Sequence, residues 1–256
     1  GRNEYIASLR RLLQTTGARA AMAPSSLVDY LKEAADGLDI ALVGGPDDFY
    51  ALPENGADLR TWQKDERCYL QFSSGSTRFP HGIDIPQRAL MANAHAIIRD
   101  GLRIGVGDRC TSWLPLYHDM GLVGFALVPL LTQMSVDYLA TRDFARRPLM
   151  WPRLITMNGG TLSYSPSFGY DLAARRIDHS SQVDGIDLAC WRGAGIGGDM
   201  IQPHVLERFA EVFGPYGFRR EAFVPSYGMA ETVLAISFGP LDTGFEIDRI
   251  DRRGLA

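Results

Sequence analysis

A short segment rich in hydroxyl groups and glycine is the part of this sequence whose residue types most clearly suggest chemistry. Residues 71–82 read Gln-Phe-Ser-Ser-Gly-Ser-Thr-Arg-Phe-Pro-His-Gly and overlap the end of the apolar run 68–72. Gly75 and Gly82 let backbone N–H groups approach an anion, and Arg78 adds a positive charge whose fork geometry suits phosphate oxygens. We therefore predict a phosphate-holding loop with hydroxyl donors on Ser73, Ser74, Ser76 and Thr77.

This segment also admits plainer interpretations. Clusters of serine, threonine and glycine between periodic segments are often simple loops. The segment is not a Walker A sequence, because Gly75 is not followed by Gly-Lys-Ser/Thr at the required spacing, and this disfavours a P-loop kinase or GTPase. A serine hydrolase is disfavoured as well, because the chain has serines, His118 and Asp119 but no Gly-x-Ser-x-Gly turn.

Three further segments add chemistry-bearing residues in a fixed order. Residues 113–122 read Trp-Leu-Pro-Leu-Tyr-His-Asp-Met-Gly-Leu, residues 196–200 read Ile-Gly-Gly-Asp-Met, and residues 226–231 read Ser-Tyr-Gly-Met-Ala-Glu. Each follows a predicted strand, and ligands of open α/β sheets collect beyond the carboxyl ends of strands. We therefore expect one crevice to gather all three segments with the phosphate loop.

Taken together, the four segments resemble the adenylate-forming superfamily of acyl- and aryl-CoA synthetases, luciferases and peptide-synthetase adenylation domains. The loop Ser-Gly-Ser-Thr-Arg-x-Pro-x-Gly and the segment Pro-Leu-Tyr-His-Asp-Met-Gly-Leu are most similar to the fatty acyl-AMP ligases. The resemblance implies activation of a fatty acid with ATP and Mg²⁺ to an acyl-adenylate, release of pyrophosphate, and transfer to an acyl carrier protein. A fatty acyl-CoA synthetase, and a nucleotide- or acyl-AMP-binding fragment without turnover, remain as alternatives.

The resemblance also assigns roles to individual positions. His118 would lie where the acyl pocket meets the nucleotide, Tyr227 would stack on adenine, and Glu231 would reach the Mg²⁺ bound to ATP. Arg78 would act with His118 and Glu231 as a catalytic group. The remaining nucleotide-binding positions implied by the resemblance are Ser73, Ser74, Gly75, Ser76, Thr77, Gly197, Gly198, Asp199, Gly228 and Met229.

Several positions depart from the usual pattern of the superfamily. Arg78 replaces a glycine and His81 replaces a lysine, so the loop loses one permanent charge and gains another. Ala230 replaces a threonine, as is common in fatty acyl-AMP ligases. Ile196 and Met200 replace an asparagine and a proline, which leaves the shape of the glycine turn open.

Alternating helical and strand-like segments must position these residues. The hydrophobic pattern predicts helices over 4–16, 26–36, 168–176 and from Pro86 and Pro203, with Gly214 as the stop of the last. Strands are predicted at 19–23, 40–43, 68–72, 109–114, 161–164 and 188–195, and residues 46–67 are predicted to be a surface connection. This rhythm predicts a doubly wound α/β fold with mostly parallel sheets. Five apolar residues are candidates for a lipid tunnel but are more often core, and we predict no site at them: Met120, Leu122, Val123, Phe125 and Phe168.

Composition excludes several classes of protein. A hydrophobic fraction of 46% with 22% charged residues is typical of a globular domain, and the net charge of −4 gives no basis for nucleic-acid binding. The three cysteines, Cys68, Cys110 and Cys190, cannot all pair, which favours a reducing compartment, and they lack the spacing of a zinc site. The sequence lacks a run of about 20 apolar residues that could span a bilayer. We therefore predict a cytoplasmic protein without a membrane span.

The resemblance also implies how the chain is organised. Residues 1–240 would be part of the large N-terminal domain of an adenylate-forming enzyme, and residues 241–256 would begin a following segment. The small C-terminal domain with its catalytic lysine has no counterpart in the sequence. We therefore expect the full-length parent to form acyl-adenylate, and this chain alone to do so poorly or not at all.

Overall fold

The computed structural model describes residues 1–54, 56, 60–72, 81–178, 184–251 and 254. The chain divides into two compact units, residues 1–61 and residues 62–256. The first unit contains helix α1 (Arg2–Thr16), strand β1 (Ala20–Met22), helix α2 (Val28–Ala35), strand β2 (Leu42–Gly44) and helix α3 (Pro46–Tyr50).

The first unit follows the predicted alternation, with one correction. Strands β1 and β2 pair in parallel, and the ring of Tyr5 on α1 meets that of Tyr30 on α2 edge to face. The prediction of a plain connection after residue 46 is wrong at its start, because α3 forms there. Pro46 occupies the first turn, and the Asp48 carboxylate accepts a hydrogen bond of 2.7 Å from the Gly45 N–H, so the helix start is capped.

The second unit begins with a hairpin and a long helix. Strands β3 (Arg67–Phe72) and β4 (Gly82–Pro86) pair antiparallel as a separate two-stranded sheet. Helix α4 (Gln87–His95) follows β4 directly and continues as a π-helical segment, Ala96–Gly101. The predicted phosphate loop therefore departs from this hairpin and not from the main sheet.

The main sheet has six strands in the order β10-β9-β8-β7-β5-β6. Strands β5 to β9 run parallel, and β10 closes one edge antiparallel to β9, so the doubly wound, mostly parallel α/β fold is confirmed. The strands are β5 (Arg109–Ser112), β6 (Ser135–Tyr138), β7 (Leu162–Ser165), β8 (Gly193–Ile196), β9 (Phe223–Gly228) and β10 (Ala235–Phe238). The helices are α5 (Asp119–Leu122), α6 (Val128–Thr132), α7 (Thr141–Arg146), α8 (Met150–Asn158), α9 (Ser167–Asp178) and α10 (Pro203–Phe213), with a π-helical segment Val123–Leu127 after α5.

One face of this sheet is covered by an aromatic core. Tyr170 on α9 stacks with Trp191 and meets Phe209 on α10 edge to face, and Trp151 on α8 contacts both Tyr170 and Trp191. The Trp151 indole N–H donates to the Ser163 hydroxyl at 2.8 Å. Because successive residues of a strand point to opposite faces, the neighbours of Ser163 along β7 face the other side of the sheet.

One predicted strand boundary is wrong. Strand β8 begins at Gly193, because residues 188–192 form a turn in which the Trp191 N–H donates to the Leu188 carbonyl at 3.0 Å. Helix α10 ends at Phe213 as predicted, but Gly214 keeps a right-handed conformation with φ −53°. The left-handed conformation is found at Gly217, with φ 84°, which ends the 3₁₀ turn Gly214–Tyr216 that follows the helix.

Candidate active site

A cavity of about 610 Å³ opens at the carboxyl ends of the main strands. Its outer part, which we call the polar mouth, is lined by predicted site residues from three segments: His118, Gly197, Gly198, Tyr227, Gly228, Met229 and Glu231. Its inner part, which we call the apolar interior, is lined by buried side chains: Ile97, Leu102, Cys110, Phe125 and Leu162. One continuous space thus joins a polar and an apolar surface.

The predicted phosphate loop lies outside the described residues. Ser73, Ser74, Gly75, Ser76, Thr77 and Arg78 all fall in this gap, so their roles stay predictions. The residues on either side of the gap, Phe72 and His81, both line the cavity. Phe72 also pairs with Gly82 across the β3–β4 hairpin, so the described residues that flank the gap both lie beside the cavity.

The β9–β10 hairpin supplies the candidate adenine and metal residues. Tyr227 is 62% exposed at the end of β9, so the face of its ring is accessible to a planar ligand. Gly228 has no room for a side chain, because a Cβ would lie 1.8 Å from the Leu234 carbonyl oxygen. The Met229 N–H donates to that same oxygen at 2.9 Å, and Glu231 lies exposed in the short 3₁₀ turn that follows.

The glycine turn after β8 contributes Gly197 and Gly198 but not Asp199. A Cβ on Gly197 would lie 2.7 Å from the Ser226 carbonyl oxygen, and Gly198 has φ +79°. Both glycines are therefore required by the backbone itself. Asp199 is not among the cavity-lining residues, and its carboxylate accepts a hydrogen bond of 2.7 Å from the Met200 N–H.

His118 and Asp119 form a close pair at the polar mouth. His118 Nδ1 lies 2.6 Å from Asp119 Oδ1, which also accepts a hydrogen bond of 2.7 Å from the Met120 N–H. Hydrogen bonding to Asp119 raises the pKa of His118, and partial burial only reduces this shift. With Nδ1 engaged, Nε2 is the ring nitrogen that can reach a ligand.

This pair leads to a testable prediction about pH. Asp119→Asn should lower the pKa of His118, because the amide keeps an acceptor for the Met120 N–H but removes the negative charge. Since the folded pKa is raised, the stabilisation by the pair is complete below the unfolded pKa and is lost as pH rises through the folded value. NMR titration of the His118 ring protons would measure the change, with His118→Gln assigning the signal. An unchanged midpoint in Asp119→Asn would contradict the role of Asp119.

Tyr164 lies between the polar mouth and the apolar interior. Its ring lines the cavity, meets Phe125 edge to face at 6.1 Å, and its hydroxyl lies 3.3 Å from Ser226 Oγ. Burial raises the pKa of Tyr164, so the neutral phenol is the relevant form. Burial likewise raises the pKa of Cys110 to about 12, so this thiol is a small neutral side chain of the apolar interior.

The five lipid-tunnel candidates separate in the structure. Met120 and Phe125 line the cavity. Val123 is fully buried and Phe168 is half exposed with its ring against Trp113, and neither lines the cavity; Leu122 does not line it either. Helical spacing could not distinguish these outcomes, because core and pocket residues share one face of a helix.

Some cavity residues carried no recognisable signal in the sequence. Gln71 is buried, and its Nε2 donates to the Tyr117 carbonyl at 3.1 Å, which ties β3 to the His118 segment. Tyr164 and Ser226 come together from strands 62 residues apart. Both contacts join residues far apart along the chain, so local sequence patterns could not indicate them.

The polar mouth is compatible with a magnesium ion carried by a nucleotide. Among the described residues, no group of three or more His, Cys, Asp or Glu side chains is placed to hold a metal by itself. Mg²⁺ is commonly held through one or two carboxylates together with substrate phosphates and water. Glu231 supplies one such carboxylate at the rim of the cavity.

Comparisons with known proteins agree with this architecture. Residues 7–253 match the AMP-binding enzyme family. A putative acyl-CoA synthetase of Caulobacter vibrioides is 48% identical over 262 residues, covering 100% of this chain and 45% of the relative. A long-chain-fatty-acid–AMP ligase of Mycobacterium marinum is 36% identical over 204 residues, covering 76% of this chain and 32% of the relative.

Two solved structures extend the comparison. One comes from structural and functional studies of fatty acyl-adenylate ligases from E. coli and L. pneumophila. It has a TM-score of 0.88 and a sequence identity of 44%, and the match covers 95% of this chain and 44% of the solved chain. The other is a fatty acyl-adenylate ligase of L. pneumophila in complex with acyl adenylate and pyrophosphate. It has a TM-score of 0.85 and a sequence identity of 26%, and the match covers 94% of this chain and 42% of the solved chain.

The fold and the family match define an adenylate-forming ligase domain. The chain belongs to the AMP-binding enzyme family, and its resemblance to the fatty acyl-AMP ligases is confirmed. It spans less than half the length of the relatives described above. No helix in the described part of the chain is long and apolar enough to cross a bilayer.

Proposed function

We propose that the protein carrying this chain activates a fatty acid with ATP to an acyl-adenylate, releases pyrophosphate and passes the acyl group to an acyl carrier protein. The observation that supports this most is the cavity whose polar mouth continues into an apolar interior. A fatty acid has the same division, with a charged head and an apolar chain. A nucleotide at the mouth would place its α-phosphate next to the carboxylate of a chain bound inside.

The reaction brings two anions together. One oxygen of the fatty acid carboxylate attacks the α-phosphorus of ATP, the bond from that phosphorus to the bridging oxygen breaks, and pyrophosphate leaves with the electron pair. Groups that stabilise negative charge on the phosphorus are therefore required. His118 supplies a positive charge at the mouth when protonated, and Arg78 is proposed to supply another from the phosphate loop. When bound, Mg²⁺ would neutralise phosphate charge, held in part by Glu231.

The nucleotide contacts follow from the same placement. Tyr227 is proposed to stack on adenine, while backbone groups of Gly197, Gly198, Gly228 and Met229 border the base. The loop hydroxyls of residues 73–77 are proposed to hold the β- and γ-phosphates. The neighbour solved with acyl adenylate and pyrophosphate supports a site of this kind in the fold. Asp199 is the weakest assignment, because it does not line the cavity.

The organisation of the chain is part of the proposal. We propose that residues 1–240 belong to the large N-terminal domain of such an enzyme and that residues 241–256 begin the segment after it. The catalytic lysine of the family would lie outside this chain.

Pyrophosphate release with a panel of fatty acids would test the activity. We expect the full-length parent to release pyrophosphate with medium or long chains and to form acyl-AMP in equal amount, because the apolar interior favours chain burial. The 256-residue chain alone should be weak or inactive. Short carboxylates such as acetate serve as the control. Turnover with acetate as fast as with long chains would contradict a fatty-acid substrate.

A fatty acyl-CoA synthetase is the second candidate, since it shares the first half-reaction and the relative from Caulobacter vibrioides carries that description. The acceptor separates the two. Incubating preformed acyl-AMP and the full-length protein with CoA or with a phosphopantetheinylated carrier protein, and measuring the thioester by mass spectrometry, would decide between them. Efficient acyl-CoA formation would replace the carrier-protein proposal.

A further inference from the structure

The two proposed halves of the nucleotide site lie on different sheets. The ends of the phosphate loop belong to the two-stranded β3–β4 sheet, and helix α4 follows β4 without a break. Tyr227 and Glu231 belong to the β9–β10 hairpin at the edge of the six-stranded sheet. Within the described residues, no strand pairing joins these two sheets. Side-chain contacts must therefore contribute to holding the two halves at a fixed spacing.

Asn93 on helix α4 makes such a contact. Its Nδ2 donates to the Ala235 carbonyl at 2.8 Å, and its Oδ1 accepts from the Ala235 N–H at 3.1 Å. One amide side chain thus satisfies both backbone groups of one residue, as a neighbouring strand would do. Ala235 is the first residue of the edge strand β10, so the helix that follows the phosphate-loop hairpin is tied directly to the other hairpin.

The loop between β9 and β10 connects the anchored Ala235 to Glu231. Ala235 pairs with Gly228, and the Met229 N–H donates to the Leu234 carbonyl at 2.9 Å, so the loop is closed tightly. Val233 has φ +73°, a region that β-branched residues rarely occupy, and it is 4% exposed. A residue held in that conformation needs its surroundings to fix it. The anchored Ala235 is part of those surroundings.

We propose that Asn93 is a positioning residue that fixes Glu231 and Tyr227 relative to the β3–β4 hairpin and helix α4, and so sets the affinity for the magnesium complex of ATP. This role rests on the proposed function of the site. Asn93 acts only through Ala235 and need not touch the nucleotide. Its side chain also borders a shallow depression that Glu231, Thr232 and Val233 share with α4.

The test is a double-mutant cycle on nucleotide affinity in the intact protein that carries this chain. The probe is the α,β-methylene analogue of ATP with Mg²⁺, measured by calorimetry, so that turnover does not enter. Asn93→Ala should weaken binding about tenfold, the equivalent of one net hydrogen bond. In a Glu231→Gln background the same substitution should cost much less, because the group that Asn93 positions has already lost its charge.

Asn158→Ala is the matched control, since Asn158 is also a partly buried asparagine of a helix and lies outside the described cavity. It should leave the affinity unchanged. Thermal unfolding of each variant separates a loss of folding from a loss of positioning. Hydrogen exchange should rise at the amides of Ala235 and its neighbours in Asn93→Ala but not in Asn158→Ala.

The outcomes are distinguishable. If the wild-type protein binds the analogue and Asn93→Ala binds it equally well, or loses the same factor with and without Glu231, the positioning role is wrong and the proposed function is untouched. If the wild-type protein binds no adenine nucleotide with or without Mg²⁺, the proposed function fails and the positioning role fails with it.

Discussion

Glu231→Gln is expected to lower acyl-adenylate formation by the full-length protein about 100-fold at a fixed magnesium concentration, the scale of losing one preorganised charge-stabilising group. Glutamine keeps the size of the side chain and one oxygen, but removes the charge that a hard cation favours. Because Glu231 is exposed in a turn, the substitution should hardly change the stability of the fold. The loss of activity should therefore come from the reaction itself and not from unfolding.

The magnesium dependence makes this prediction specific. The concentration of Mg²⁺ that gives half-maximal pyrophosphate release should rise in Glu231→Gln, while the apparent KM for the fatty acid should change little. Glu207→Gln, on the exposed side of α10, is the matched control and should behave as wild type. If Glu231→Gln keeps the wild-type magnesium dependence, Glu231 has been wrongly assigned as a ligand.

Much of this site could be predicted because its residues come in short segments with local signals. Gly197 and Gly198 follow one strand, and three further residues lie at the end of another: Tyr227, Gly228 and Glu231. Because ligands of open α/β sheets bind beyond the carboxyl ends of the strands, these residues were predicted to share one crevice. The cavity in fact includes all five and His118. The hydroxyl-rich segment was recognised by composition, but its own geometry lies outside the described residues.

The parts that sequence did not predict depend on pairing between distant residues. Strands β6 and β10 were not predicted; they lie at the two edges of the sheet, where pairing with β5 and β9 holds them. Strand β4 was not predicted, because residues 71–82 were interpreted as a phosphate-holding loop and the next predicted element was the helix from Pro86. Asn93 could not be recognised at all, since its partner Ala235 is 142 residues away.

The glycines of β8 have a role that sequence also concealed. Gly195 lies opposite Tyr164 on β7, and a Cβ on Gly195 would lie 2.0 Å from the Tyr164 ring. Gly193 likewise leaves room for Leu162, whose Cδ2 would lie 2.6 Å from an added Cβ. The side chains of β7 thus extend over β8, and the floor of the cavity has its shape because β8 lacks side chains there.

Gly195→Ala is therefore expected to lower the free energy of unfolding by about 1–3 kcal/mol, the usual cost of overpacking a core. The Tyr164 ring must move away from β8, which breaks its contact with Ser226 and narrows the passage to the apolar interior. Binding of a long-chain acyl-AMP mimic should weaken more than binding of AMP. Denaturant unfolding and calorimetry with both ligands would measure the two effects.

A second substitution determines whether the clash is the cause. Tyr164→Leu in the Gly195→Ala background should recover part of the lost stability, because the ring that collides with the new methyl group is gone. Gly214→Ala is the control, since a Cβ there meets nothing within 4 Å and its φ of −53° suits alanine, so it should be neutral or slightly stabilising. Two results would contradict this account. Gly195→Ala could prove as stable as Gly214→Ala, or Tyr164→Leu could lower the stability of the Gly195→Ala variant by as much as it lowers that of the wild type. In either case the Tyr164 ring does not lie over β8 and does not separate the polar mouth from the apolar interior.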